Sequence, residues 1–321
     1  MADPAPDLVT VGSGLEAAAL RVRAYLHNTR APNTYKAYAA DWKHFEAWCA
    51  GHGLAALPAA PPAVMLYLGE LGGEGKKLST IGRRLAALAQ VHRAAGCESP
   101  TEHRAVRELL AGMRRTHGTA ARGKEPLLSE DLRAILRELG DPLRDLRDRA
   151  LLLVGFAGAF RRSELAGIQA EDLRYVPEGL VIDLRRSKSD QEGEGREVPI
   201  PFGSRPETCP VGALRAWTAA ANLKSGPVFR AISRHGRVST RALTPTAVAL
   251  LVKERAIAAG LDPALYSGHS LRAGFATSAA LGGAPEWAIM KQTGHRSRAM
   301  LDRYVRLASR FRSNAVSFTG L

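Results

Sequence analysis

At 321 residues, 45% hydrophobic and 24% charged, the chain has the composition of a globular protein long enough for two domains of ordinary size. Lys and Arg number 45 against 31 Asp and Glu, a formal charge of +14, with 16 basic to 11 acidic residues up to Glu125 and 29 to 20 beyond it. That excess suits a polyanionic partner, nucleic acid being the commonest, and its spread over both halves excludes a single basic tail as the source. Three widely spaced cysteines, Cys49, Cys97 and Cys209, with no Cys-x-x-Cys pair, point away from a disulfide framework and from a zinc site. Met1 to Gly12 lacks the basic-then-apolar order of a signal peptide. No apolar run approaches the roughly 20 residues that span a bilayer, so a cytoplasmic protein is expected.

From Leu15 to about Arg115, apolar residues at three-to-four spacing predict successive helices over Leu15–Thr29, Asn33–Ala50, Pro62–Leu71, Ser79–Ala95 and Glu102–Arg115. Gly51-His52-Gly53, Gly72-Gly73 and Ser99-Pro100 punctuate the joins, and Asn33 and Thr101 stand where N-caps would. This half, 13–115, reads as a small helical bundle. Residues 116–125 lose the periodicity and are polar and basic, as expected of a linker. In the second half, 126–321, helical pattern resumes over Ser129–Leu139 and Arg147–Phe160. The stretch Leu151 to Phe156 is apolar all round, which predicts burial. Leu180–Leu184 and Glu197–Ile200 enclose Gln191-Glu192-Gly193-Glu194-Gly195 and predict a β-hairpin. Beyond Pro210 most of the chain reads as helix. The expected fold is mainly α with a small antiparallel β-sheet.

Three stretches could carry chemistry. In Gly268-His269-Ser270-Leu271-Arg272, His269 and Arg272 are three apart and would share a helix face, able to grip one anion together; two solvated polar residues at a helix start fit that stretch equally well. Arg161-Arg162-Ser163-Glu164-Leu165 follows the buried helix, and Ser163 could cap the next one. An arginine fixed there could clamp a phosphate through its planar fork, or simply satisfy terminal carbonyls. Finally, Thr293-Gly294-His295 is followed nine residues after the histidine by Tyr304. From Arg296 to Arg312 there are six arginines and one acid, Asp302, so this tyrosine lies in a cationic field, although a lone tyrosine is usually packing.

Together these residues carry a resemblance to the tyrosine recombinase family, also called the phage integrases, especially its Cre type. The matching pattern is Arg-x-Ser-Glu-Leu at Arg161, Ser-Lys-Ser at Lys188, Gly-His-x-x-Arg at His269 and Arg272, Gly-His at His295, and Tyr304 near the C-terminus. The helical half resembles the family's core-binding domain in Asn33-Thr34-Tyr35 and Phe45-x-x-Trp48-Cys49. The resemblance settles the Arg161/Arg162 ambiguity toward Arg161, and it favours Lys188 over the nearby Arg185 and Arg186. It implies that Tyr304 attacks a scissile phosphate to give a 3′-phosphotyrosyl link, en route to a Holliday junction. It further implies that Arg161 and Arg272 hold the non-bridging oxygens, Lys188 protonates the 5′ oxygen, His269 moves protons near Tyr304, and His295 bonds a phosphate oxygen. Glu164 would orient Arg161.

No metal or cofactor is implied. The implied partner is double-stranded DNA with specific target sites, in a bacterial, phage or plasmid setting. Basic helix faces at Lys36, Lys43, Arg83 and Arg84 are candidate DNA contacts. Leu307, Phe311, Ala315 and Phe318 form a stripe that the resemblance would dock into a neighbouring protomer of a homotetramer; packing within its own domain is the plainer alternative. Three other functions remain in view. A type IB topoisomerase shares the chemistry, a catalytically silent DNA-binding accessory protein shares the fold, and a serine hydrolase is weakly suggested by Gly268-His269-Ser270, where Arg272 replaces the second elbow glycine.

Overall fold

A computed structural model describes residues 15–27, 29, 32–118, 124–185 and 195–308. The chain divides into two compact units, Met1–Arg122 and Gly123–Leu321.

The first unit is helical: α1 (Glu16–His27), α2 (Pro32–Gly51), α3 (Pro61–Gly73), α4 (Leu78–Ala94) and α5 (Arg104–His117). Its core joins Trp42, Phe45, Tyr67, Leu68, Leu71, Ile81, Leu88, Val106 and Met113. Buried His92 is held by two backbone groups: its Nδ1–H donates to the Leu88 carbonyl at 2.8 Å, and its Nε2 accepts from the Ala59 amide at 2.9 Å. The helix starts differ from the cap residues expected. Asn33 lies inside α2, which begins with Pro32 because that proline fits a first turn and needs no N–H partner. Thr101 lies in a short 3₁₀ turn, and the cap of α5 is His103, whose side chain accepts from the Ala105 amide.

In the second unit come α6 (Ser129–Arg137), α7 (Leu143–Ala157), α8 (Arg162–Gly167), β1 (Leu173–Val176), β2 (Gly179–Leu184), β3 (Arg196–Pro201), α9 (Pro210–Ala220), β4 (Arg230–Ile232), β5 (Val238–Ala242), α10 (Pro245–Ala258), α11 (Ser270–Leu281), α12 (Glu286–Thr293) and α13 (Arg298–Ala308). The sheet β1-β2-β3 is antiparallel, with Leu180 opposite Ile200, Ile182 opposite Val198 and Leu184 opposite Arg196. Leu180, Ile182, Leu184, Val198 and Ile200 face the core with the apolar stretch of α7, Trp217 and Phe229. The hairpin matches the sequence expectation. β1 and the β4-β5 pair are additional; they are short and contain no buried residue, so no inward-outward alternation marks them.

Helix α7 starts and ends earlier than its periodicity predicts. Ala159 takes φ +48°, so the chain turns out of the helix two residues after Ala157. Beyond this left-handed turn Phe160 is buried in the core and Arg161 stands at the start of α8. Buried charge ties α7 to α10: Asp148 accepts from Arg147 at 2.6 Å and from Arg255 at 2.6 Å, and Arg255 also reaches Asp145 at 2.5 Å. The 125–127 segment is bound into this unit. Glu125 N–H donates to the Leu265 carbonyl, and Leu127 N–H to the Ser270 carbonyl.

Helix α11 approaches that segment closely at Gly274, where an added Cβ would stand 1.7 Å from the Leu127 carbonyl oxygen. Alanine favours helix over glycine by about 1 kcal/mol. Overpacking typically costs about 1–3 kcal/mol, and a contact this short against backbone, which cannot rotate away, lies at the upper end, so the clash wins. Gly274→Ala should therefore lower the melting temperature by several degrees in a thermal melt, where an ordinary helical Gly→Ala change would raise it.

Candidate active site

The end of α7 and the starts of α8 and α11 bring a cationic cluster together. Arg161 immediately precedes α8. Its backbone N–H donates to Glu164 Oε2 at 2.9 Å and its guanidinium Nη1 to Glu164 Oε1 at 2.6 Å, so one buried carboxylate fixes both ends of the residue. Glu164, rather than Ser163, supplies the helix-start acceptor; Ser163 falls within the first turn of α8.

Arg272 lies in the first turn of α11 and is 1% exposed. Its Nη1 donates to the Ala159 carbonyl at 2.8 Å, while Nη2 has no hydrogen-bond partner among the described residues. Burial and the nearby Arg161 lower its pKa to about 10, so it stays charged at neutral pH. A guanidinium buried beside another cation, with one nitrogen unsatisfied, is a costly arrangement that an anion would relieve.

His269 caps α11 rather than lying within it, and its Nε2 stands 3.0 Å from Tyr304 Oη. Tyr304, on α13, is 9% exposed and packs with Ala273, Ala276, Ile289 and Leu301, which holds its ring while its hydroxyl meets the imidazole. The rings of Tyr304 and His295 stack with centroids 6.0 Å apart.

His295 follows a left-handed turn at Gly294. Buried Thr293 donates its hydroxyl to the Ile289 carbonyl at 2.7 Å. Its one proton thus used, Thr293 Oγ1 accepts from His295 Nδ1, 2.8 Å away. In the neutral ring this tautomer leaves Nε2 with the lone pair. Burial lowers the pKa of His295 to about 4, with Arg272, Arg161, His269 and Arg196 acting in the same direction. An unfolded histidine titrates near 6.5, so between about pH 6.5 and 4 the unfolded chain binds a proton that the folded chain refuses. Stability of the DNA-free protein should therefore fall with pH across that window. Thermal melts of His295→Gln should show a shallower decline than wild type.

The structure thus brings Arg161, Glu164, His269, Arg272, His295 and Tyr304 to one place. Lys188 lies outside the described residues, as do Phe311, Ala315 and Phe318. Of the two arginines weighed against Lys188, Arg186 also lies outside the described residues, and Arg185 pairs with Asp172 at 2.8 Å. In the first unit, Lys36 and Lys43 are exposed, and Arg83 is half-exposed in an ion pair with Asp41 at 2.8 Å. Arg84 is turned inward, donating to Tyr67 Oη at 2.8 Å beside His44 and Asp41, so it links α2, α3 and α4 instead of presenting an outward charge.

Thr293, part of the Gly-His stretch but without a task there, holds the His295 ring through Nδ1. Gln292, absent from the motifs, donates its Nε2 to the Ala157 and Pro199 carbonyls at 2.8 and 3.1 Å. Arg196, at the base of the hairpin, is close enough to influence Arg272 and His295.

Known proteins resemble the chain over nearly its whole length. The phage integrase family matches residues 125–310, and the phage integrase N-terminal SAM-like domain matches residues 23–98. The integrase/recombinase xerD homolog of Selenomonas ruminantium is 42% identical over 307 residues, covering 94% of this chain and 89% of that protein. Recombinase cre of Escherichia phage P1 is 26% identical over 293 residues, covering 85% and 84%. Among solved structures, the XerH site-specific recombinase bound to palindromic difH substrate shares the fold with TM-score 0.63 at 15% identity, covering 94% of this chain and 84% of that one. The chain belongs to the phage integrase family and is a tyrosine site-specific recombinase.

Proposed function

We propose that the chain cleaves and rejoins double-stranded DNA at specific sites through a 3′-phosphotyrosyl link to Tyr304, two rounds of strand exchange passing through a Holliday junction. The observation that carries this reading is a tyrosine hydroxyl hydrogen-bonded to His269 beside a buried guanidinium, Arg272, that has a nitrogen without a partner among the described residues.

Each residue then has a chemical task. Tyr304 Oη gives up its proton toward His269 Nε2 and attacks phosphorus; the bond to the 5′ oxygen breaks, and Lys188 protonates that oxygen. In rejoining, the 5′ hydroxyl attacks the phosphotyrosine and Tyr304 leaves, so the phosphodiester energy is retained. Arg272 and Arg161 hold the non-bridging oxygens and stabilise the charge that grows in the transition state. Glu164 keeps Arg161 in place. His295 takes up a proton at Nε2 as the phosphate approaches and donates it to an oxygen in a hydrogen bond. Phosphate backbone contacts fall to Lys36, Lys43 and Arg83. The chain assembles on DNA as a homotetramer linked by its C-terminal segment.

The test is strand exchange between two labelled duplexes carrying a target site selected by its binding to the protein. Recombinant product supports the reading. Relaxation of supercoiled DNA without exchange would favour a type IB topoisomerase-like activity, and binding without either would favour an accessory protein.

A further inference from the structure

We infer that Arg196 is a positioning residue for cleavage: its guanidinium clamps the left-handed turn that presents His295 and sets a further positive charge beside Arg161 and Arg272. The inference rests on the assignment of His295 as a phosphate ligand. It begins with the strand. Side chains of β3 alternate between faces, and Arg196 shares the inward face with buried Val198 and Ile200, opposite Leu184. A charged residue at an inward position of a strand needs partners, and those of Arg196 lie in the His295 turn.

Arg196 Nη1 donates to the Gln292 carbonyl at 2.9 Å. Gly294 lies flat against the guanidinium at φ +66°, so that an added Cβ would be 3.1 Å from both Cζ and Nε. Nη2 is buried and has no hydrogen-bond partner among the described residues. The contact is reciprocal, because Gln292 returns a bond from its side chain to the Pro199 carbonyl of the same strand. Strand and turn are therefore fastened at two points, and His295 is the next residue beyond the glycine.

Electrostatics agree with the geometry. Burial is the main influence lowering the pKa of Arg196, followed in size by the opposing pull of Glu164 and the repulsion of Arg161. The groups facing His295 are Arg272 from α11, Arg161 before α8, His269 at the cap of α11, Arg196 from β3 and Tyr304 from α13. A structural filler at position 196 would need no charge. A guanidinium costs desolvation there, which Glu164 offsets in part and a bound phosphate would offset further.

The test compares Arg196→Gln and Arg196→Lys with wild type. NMR titration of the His295 ring in the DNA-free protein reads the field at the site. With glutamine the pKa should rise above its value of about 4, whereas lysine, keeping the charge, should hold it nearer wild type. Single-turnover cleavage of a nicked duplex should slow by about 10- to 100-fold with glutamine, the scale of a small misplacement of a reacting group. DNA affinity should change much less. In a His295→Gln background the same Arg196→Gln change should cost little more, because the two residues act as one unit. Fully additive losses, or an unmoved His295 titration together with wild-type cleavage, would overturn the assignment. Should wild-type protein form no covalent adduct, the Tyr304 reading falls, while the His295 titration still decides the assignment of Arg196.

Discussion

Tyr304→Phe should bind target DNA as wild type does and form no covalent adduct. Only the hydroxyl is removed. The ring remains among Ala273, Ala276, Ile289 and Leu301, and what disappears with the hydroxyl is its 3.0 Å hydrogen bond to His269. Removing such a bond costs about 1 kcal/mol of stability. The chemistry suffers far more, because the hydroxyl removed is the one held against His269 and proposed to attack phosphorus; removal of a covalent nucleophile costs on the order of 10⁴-fold or more in rate. Denaturing gels of protein incubated with a nicked duplex report the adduct and native gels report binding, and together they separate the two effects, since a misfolded variant would lose both.

The second large effect is expected at Arg272. Replacement by glutamine should slow cleavage about 10³-fold, at the upper end of what one preorganised donor supplies to a developing oxyanion. Stability should move the other way. In the DNA-free protein this guanidinium is 1% exposed, feels the repulsion of Arg161, and has Nη2 without a partner among the described residues. Desolvating such a charge costs several kcal/mol, of which the bond to the Ala159 carbonyl recovers a part. Glutamine is neutral and removes that penalty, so the melting temperature of Arg272→Gln should equal or exceed wild type. Loss of activity at undiminished stability marks a residue held in strain for its chemistry. A large drop in melting temperature would instead assign Arg272 a structural role.

Much of the site is legible in the chain because its members occur in motifs with fixed local spacing. Gly-His-x-x-Arg puts His269 and Arg272 at the start of one helix, and Arg-x-Ser-Glu-Leu puts Glu164 one turn from Arg161. What spacing does not supply is the third dimension. His269 and Tyr304, 35 positions apart, close to one hydrogen bond only because α13 packs on α11 around Ala273, Ala276 and Leu301. Arg196 escapes the reading because the apolar alternation ends at Val198, and its inward direction follows from the register with Leu184. Ala159 escapes it because alanine carries no signature of positive φ, unlike the glycine that usually makes such turns. Arg84 shows the converse. On a sequence it is one more basic helix residue, yet Asp41, His44 and Tyr67 occupy its guanidinium. Lys188 falls on the part of the hairpin outside the described residues, and its place in the mechanism rests on the family pattern.

The fold was legible in the same uneven way. Long helices with a buried stripe announce themselves, whereas β1, β4 and β5 are three to five residues long and contain no buried residue. Their pairing comes from neighbours in space rather than from their own pattern.

The central claim is that Tyr304 supplies the oxygen of the covalent link. The most direct measurement is mass spectrometry of the adduct formed on a nicked duplex, digested with nuclease and protease so that one nucleotide remains on the modified peptide. A single modified peptide is expected, with the nucleotide phosphate on Tyr304. A phosphate on any other residue, or an adduct formed in undiminished yield by Tyr304→Phe, would contradict it.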